Sequence, residues 1–379
     1  MADVCPVGAL NNGPFAYTSR PYELLTKNSI DLMDSLGSNV AIDYKDNTLM
    51  RVNPRVHEAI NEEWLSDKSR QAFDGLKRQR LRVPLLRKGQ DFAEETWEDA
   101  LAMVASRIDK VDGSEIACGI GEFESVENIQ AMKDFLNALN CFNYEFRRGQ
   151  NLSLPNNFRS DFLFNSQIET IEDADLILLV GVNPRTETPV LNSRILKAIT
   201  KKKAKVLSVG TPADLTYAYS HLGNSATVLA DLASGQHPAA EELKAAKLPM
   251  IIVGYDALTR SDSHAILNSA RAIAETYKVI NPSNGWNGFN ILHRSQGEIN
   301  ALELGLDFKP IATKPKVIFL LGCDNNISPE DIPADAFVVY IVQVYPCRVL
   351  TVIREHSTLM SSCLLPPTQS VRAPMVLID

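Results

Sequence analysis

A doubly wound α/β fold with a mostly parallel sheet, preceded by a small N-terminal β-rich domain, is what this sequence predicts. Three observations carry the prediction. From Gly113 onward, short and uniformly apolar runs alternate with segments of helical period. Several of those runs end in glycine, at Gly181, Gly210, Gly254 and Gly322, where a strand would turn into its loop. The first 90 residues or so read differently, being polar, proline-punctuated and less periodic.

Taken in chain order, "SIDLMDSLGSNVAIDYKDNTLMRVNP" from Ser29 alternates as short antiparallel strands do, with "KDN" as the turn. "NEEWLSDKSRQAFDGLKRQRL" follows, a helix or loop carrying Trp64. A boundary falls near Leu85–Asp91, after which "RKGQDFAEETWEDALAMVASRI" starts a fresh amphipathic helix. Its N-cap would be Thr96, and its core face Trp97, Leu101, Val104 and Ile108. "EIACGI" from Glu115 reads as a strand. The helix after it has Ser125 as N-cap and Ile129, Met132, Leu136 and Leu139 on one face. "ADLILLVGV" from Ala174, "KVLSVGT" from Lys205, "PMIIVGY" from Pro249, "KVI" from Lys278, "KVIFLLGC" from Lys316 and "FVVYIV" from Phe337 are the further strands. "TPVLNSRILKAI" and "SHAILNSARAIAETY" are helices between them. Runs that are apolar throughout belong to strands covered on both faces, hence the parallel class.

Composition narrows the function. With 379 residues, 45% of them hydrophobic and 22% charged, the chain can build two or more domains with substantial cores. A net charge of −8 speaks against a nucleic-acid role, and "KRQRLR" from Lys77 and "KKKAK" from Lys201 read as solvated faces. No apolar run approaches the ~20 residues of a membrane span. The cysteines at 5, 118, 141, 323, 347 and 363 include no CxxC or CxxxC pair. That excludes a self-contained zinc or iron–sulfur site on short spacings, and gives no disulfide framework, so a reducing compartment is expected. No signal or transit peptide precedes the first motif, so the chain reads as organelle-encoded, cut at its start or already processed.

No GxSxG or HExxH motif is present, and the six histidines are isolated, as packed or surface residues would be. "GIGEFES" at Gly119 lacks the third glycine of a dinucleotide fingerprint. Cys118 lies in an apolar strand, and Cys141 and Cys323 beside hydrophobic segments, so all three read as structural thiols. Cys5 stands apart. It sits in Cys-Pro-Val-Gly, a setting that closes cluster-binding loops, with a surface thiol before a proline as the even alternative.

The blocks "CPVGAL", "RVNPRVHEAINEEWLSDKSRQAFDGLKRQRL", "DADLILLVGVNPRTETPVLNSRI", "NILHRSQGEINALELG" and "VIFLLGCDNN" resemble, in order, the large iron–sulfur subunit of respiratory complex I, the NADH:ubiquinone oxidoreductase. The resemblance runs from residue 1 to about residue 343. It implies that residues 1–19 end a cluster-binding segment and that 20–90 form a small β-rich domain of the 4Fe–4S Mo/W type, here without cysteine or cluster. It implies that 91–343 keep a molybdopterin-oxidoreductase-like α/β fold as scaffold. Cys5 then matches the last ligand of a 4Fe–4S cluster, whose other three cysteines lie in a CxxCxxC run absent from this chain. "VGVNPRTE" from Val180 occupies the loop where relatives hold the nucleotide of their cofactor, and reads as inherited architecture with no molybdopterin expected.

On the same resemblance the chain would support NADH-to-ubiquinone electron transfer without an active site of its own. Its place would be the peripheral arm of complex I, on the mitochondrial matrix side of the inner membrane. Its partners would be the other complex I subunits, above all the N-terminal iron–sulfur half of its own subunit, with no nucleic acid and no membrane insertion. A stand-alone molybdopterin- or nucleotide-dependent oxidoreductase is the alternative of another class, and a free nucleotide-binding module a third.

After "ADAFVVYIVQ" the resemblance stops, and residues 344–379 read as an aberrant tail. Codons from Leu350 to Ser370, read from their third base, can spell HGDxGAFNADVVLPAPAYTE, the motif the family would have there. The tail is therefore expected to be an out-of-frame reading, from an error in the sequence or from a true frameshift.

Overall fold

The computed structural model describes residues 2, 5–77, 81, 83–88, 91–146, 158–306, 314–323, 332–333, 335–341 and 362–365. The out-of-frame reading of the tail lies outside these residues, apart from the short strand at 362–365.

The small domain is a three-stranded antiparallel sheet of β1 (Leu25–Ile30), β2 (Asn39–Lys45) and β3 (Thr48–Pro54). Asp46 and Asn47 join β2 to β3 with φ of 49° and 60°, the left-handed pair that a two-residue hairpin needs and that these short polar side chains tolerate. Its own core is modest, with Val40, Val52 and Phe73 buried together. A polar staple compensates. Fully buried Asn61 accepts from the Asn39 amide at 3.0 Å and donates to the Arg55 and Trp64 carbonyls, each at 3.1 Å. The short helix α1 (Asp67–Gln71) starts on Ser66, whose hydroxyl accepts from the Ser69 amide.

The α/β body contains two sheets rather than the one the alternation suggests. The first runs β5 (Asp91–Glu94), β4 (Leu85–Lys88), β17 (Ser362–Leu365), β16 (Phe337–Ile341), β15 (Val317–Leu321), β6 (Ile116–Ile120) and β7 (Tyr144–Phe146) in spatial order. Pairs among β17, β16, β15, β6 and β7 are parallel, and the β4–β5 hairpin closes one edge antiparallel. The second is wholly parallel, in the order β10 (Ser220–Gly223), β9 (Lys205–Val209), β8 (Leu176–Val180), β11 (Pro249–Val253) and β14 (Phe289–Ile291). Every residue of β6, β8, β11 and β15 is buried, which explains why those runs are apolar throughout.

Ten helices cover the sheets among the described residues. After α1 come α2 (Trp97–Ile108), α3 (Val126–Ala138), α4 (Pro184–Glu187), α5 (Pro189–Lys202) and α6 (Thr227–Ser234). The remaining four are α7 (Ala240–Ala245), α8 (Tyr255–Leu258), α9 (Ser263–Thr276) and α10 (Gln296–Glu303). Thr96 and Ser125 cap α2 and α3 as expected, and Ile129, Met132 and Leu136 are buried. Leu101 is a correction, because it is 52% exposed and Ala100 takes its place against the core. "KVI" is another. Lys278 adopts φ 54° and only Ile280–Asn281 (β12) is extended, paired antiparallel with Trp286–Asn287 (β13). The sheet position expected of "KVI" goes to β14.

One buried cation joins the small domain to the body. Arg194 of α5, its side chain 3% exposed, donates to the Glu58 and Ile60 carbonyls of the turn after β3 and pairs with Glu172 at 2.9 Å. Neighbouring Lys197 meets Glu62 of the same turn. Leu36 adds an apolar contact, packed in one cluster with Leu191 and Ile195 of α5. Removing the guanidinium would leave two buried carbonyls and Glu172 undercompensated. Arg194→Met is therefore expected to lower the unfolding free energy of the full chain by about 3 kcal/mol in urea denaturation. Lys201→Met, which removes an exposed partner of the same Glu172, should change it by no more than about 0.5 kcal/mol.

Candidate functional site

Cys5 is half-buried in a turn where its N–H donates to the Ala2 carbonyl at 3.3 Å. The turn brings the backbone of residues 7–10 round towards its side chain. The N–H groups of Leu10 and Val7, and then those of Ala9 and Gly8, hold the thiol below its ordinary value, against the opposing effect of burial. Gly8 makes this wrapping possible with φ +64°. Amides turned onto sulfur favour the thiolate, the form that ligates metal. The segment is tied to the small domain downstream: the Arg51 guanidinium lies 4.6 Å from the Phe15 ring centroid, and Glu23 pairs with Lys45 at 3.0 Å.

The other described thiols serve the core. Cys118, Cys141 and Cys323 are buried, and burial pushes the Cys118 and Cys141 thiols up. The Cys141 thiol donates to the Ile116 carbonyl at 3.1 Å. Among the described residues no three His, Cys, Asp or Glu side chains are grouped to hold a metal ion. His293 is fully buried, with Nε2 2.7 Å from the Phe162 carbonyl and Nδ1 3.2 Å from Glu298, the packed role expected of it.

Both sheets have a topological switch point. From β8 the chain passes to β9 on one side, while β11 lies on the other; β6 stands in the same relation to β7 and β15. The carboxyl ends of such strands flank the crevice where doubly wound folds take ligands. Here the loops at those strand ends approach each other closely. The Gly254 amide extends the ladder to the Val180 carbonyl at 2.8 Å, and a Cβ on Gly254 would run into Val182 and the Gly181 carbonyl. Likewise the Gly121 amide donates to the Leu321 carbonyl at 2.8 Å, and a Cβ there would strike the Gly322 carbonyl. The strand-ending glycines seen in the sequence are thus close-approach positions.

Beside the β8–β11 switch point lies a group that sequence reasoning missed. Glu187, the last residue of α4, is 7% exposed, and its Oε2 has no hydrogen-bond partner. Burial, then the nearby Asp256 carboxylate, pushes Glu187 up to about 7, with Arg294 and Lys68 opposing. Asn183 Oδ1 and Thr188 Oγ1 of the same turn are also buried without partners. Arg294 lies 4.3 Å from the Tyr255 ring centroid and 3.9 Å from Asp256, while Arg185 pairs with Asp214 at 2.5 Å. These residues come from separate loops with no fixed spacing. The run "NPRTE" was the sole sequence signal, and it pointed to a loop rather than to a titrating carboxylate.

Known proteins share this architecture. Residues 80–346 match the molybdopterin oxidoreductase family, and residues 24–74 match the family described as NADH-ubiquinone oxidoreductase NDSU1/NuoG-like, 4Fe-4S domain. Over 344 residues the chain is 41% identical to the mitochondrial NADH dehydrogenase (ubiquinone) iron-sulfur protein 1 of Solanum tuberosum, covering 90% of this chain and 46% of that protein. Over 344 residues it is also 41% identical to the mitochondrial NADH-ubiquinone oxidoreductase 78 kDa subunit of Candida albicans, covering 90% and 47%. The chain thus spans about half the length of these relatives. Among solved structures, acetylene hydratase from Pelobacter acetylenicus shares the fold with a TM-score of 0.52 at 12% identity, covering 90% of this chain and 63% of that one.

The thiol environments make a direct prediction. In the native full chain, iodoacetamide at neutral pH should alkylate Cys5 while Cys118, Cys141 and Cys323 react only after denaturation, as read by peptide mass spectrometry. Equal labelling of all four without denaturant would contradict the placement of these thiols.

Proposed function

The chain belongs to the molybdopterin oxidoreductase family, in the group of the large iron–sulfur subunits of respiratory complex I, and we propose from this premise that it is a scaffold beside an electron-transfer path. Residues 1–19 would close a cluster-binding segment, 20–90 form the small domain, and 91–343 form the scaffold. The chain would work in the peripheral arm, on the matrix side of the inner membrane in a mitochondrion, against other complex I subunits. NADH oxidation and quinone reduction would belong to the assembly.

The observation that carries this reading is the Cys5-Pro6-Val7-Gly8 turn, which leaves Cys5 only half-buried while the other described thiols lie in the core. As a thiolate Cys5 suits one corner of a 4Fe–4S cluster, and the N–H groups of Leu10, Val7, Ala9 and Gly8, which hold the thiol below its ordinary value, favour that charged form. The described residues do not suit the cluster as a complete set. The segment matching the 4Fe-4S domain family, residues 24–74, contains no cysteine, and the three other described thiols are in the core. The remaining ligands would come from the CxxCxxC run of the N-terminal half of the subunit. The cluster would supply one-electron transfer; this chain's part is to orient one thiolate, to donate the surrounding amides, and to fix the turn against Arg51 and Lys45.

A molybdopterin dinucleotide does not suit the β8–β11 crevice. Glu187 and Asp256 stand there, Arg185 and Arg294 already face carboxylates, and the Gly181 and Gly254 loops touch backbone to backbone. A phosphate-bearing group would meet the Glu187 and Asp256 carboxylates. The like charge speaks against the stand-alone oxidoreductase reading.

The experiment is reconstitution of the full chain with a polypeptide carrying the CxxCxxC segment, followed by EPR of the reduced assembly. Cys5→Ala should abolish or alter one tetranuclear signal and leave the others. An unchanged set of signals would refute the ligand assignment.

A further inference from the structure

The contact between the small domain and the α/β body holds more carboxylates than it has cations to match. Asp31, Asp34 and Glu187 are each at least nine-tenths buried, at 6%, 0% and 7% exposure. The half-buried ammonium of Lys68 acts on all three. Lys68 itself spans the two domains, because it starts from α1 and donates to the Glu187 backbone carbonyl at 2.7 Å. A second tie crosses nearby, from the Gln296 amide to the Leu32 carbonyl at 3.4 Å.

We propose that Lys68, Asp31, Asp34 and Glu187 form a proton-holding joint that makes the seating of the small domain on the α/β body depend on pH. Three buried carboxylates served by Lys68, and at Glu187 also by the half-exposed Arg294, cannot all ionise without leaving net negative charge in a desolvated place. The partners of each group are specific. Asp34 is held by the Ser38 hydroxyl at 2.5 Å and the Leu36 amide at 3.1 Å, and Asp31 accepts from the Met33 amide at 2.9 Å. Glu187 is faced by Asp256 of α8, by Arg294 of the turn after β14, by Lys68 of α1 and by the Asn183 amide of its own turn at 3.4 Å. Glu187 Oε2 has no such partner, and neither has Asp31 Oδ2, so an ionised carboxylate at either position would be poorly compensated.

Burial raises all three carboxyls, Glu187 to about 7. Glu187 therefore keeps its proton to higher pH in the packed state than in the open one. The stability it contributes is complete below the ordinary carboxylate range and is lost as pH rises through about 7. The joint is tight on the acid side of neutrality and loosens on the basic side. Because the small domain carries the Cys5 segment through Phe15 and Glu23, the joint would also govern how firmly that thiol is placed.

Hydrogen exchange on the full chain tests this, with protection factors corrected for intrinsic exchange and compared at pH 6 and pH 8. Segments 29–39, 66–71 and 183–192 should lose about tenfold in protection at pH 8, the change expected for one group titrating near 7. Helix α9, remote from the joint in sequence, serves as the internal reference. Glu187→Gln should remove the loss, and Asp256→Asn, on a side chain 58% exposed, should shift the loss to lower pH. Equal protection at both pH values in the unaltered chain, or an undiminished loss in Glu187→Gln, would overturn the proposal. So would an unmoved loss in Asp256→Asn.

Discussion

Among the ties that place the N-terminal part of the chain, the most deeply buried is one guanidinium. The small domain has a thin core and could not hold a fixed position against the body by apolar contact alone. Arg194 supplies the fix. Its planar fork satisfies two carbonyls of one turn and one carboxylate of the body at once, a geometry that lysine could not reproduce. The turn it grips runs directly into Asn61, whose amide joins β2 to the segment before α1. From α5 the chain of contacts therefore reaches the three-stranded sheet. It continues through Arg51 to Phe15, and so to the turn that holds Cys5. A scaffold that presents one metal ligand needs this kind of continuous rigid path, because a cluster tolerates little error in ligand position.

The α/β body shows the complementary side of the same role. Parallel sheets place loops, and often ligands, at the carboxyl ends of their strands, and both sheets here have the switch point that usually opens a crevice. Glycine is used to the opposite end. With no Cβ at Gly121, Gly254 or Gly322, neighbouring loops close onto each other, and the ladders extend one residue further into the space a ligand would need. At the β8–β11 crevice Arg185 pairs with Asp214 and Arg294 lies 3.9 Å from Asp256, with the buried Glu187 carboxyl beside them. The fold keeps the architecture of the molybdopterin oxidoreductase family, with close backbone approach at these strand ends.

Much of this was legible in the sequence. The apolar runs became β6, β8, β9, β11, β15 and β16, the caps at Thr96 and Ser125 formed as the capping residues implied, and "KDN" made its turn. The errors have physical causes. Helical period cannot tell Leu101 from Ala100 at the edge of an apolar stripe, where the width of the neighbouring element decides. "KVI" has strand propensity, but the helix before it ends in a left-handed turn at Lys278, and the sheet takes Phe289–Ile291 instead. The division into two sheets left no local trace, since each strand looks the same in either. Cys5 stood out through its proline, whereas Glu187 did not, because its environment is assembled from α1, α4, α8 and the turn after β14.

On the function proposed, this chain gives one thiolate to a cluster completed from elsewhere. The most direct test is anaerobic reconstitution with iron and sulfide of the full chain alone, of the CxxCxxC polypeptide alone, and of the two mixed, with iron counted in each. No stoichiometric cluster is expected on the chain alone, and the mixture should bind one tetranuclear cluster more than the two parts bind separately. A stoichiometric cluster on the chain alone, or no gain on mixing, would contradict the shared-cluster role.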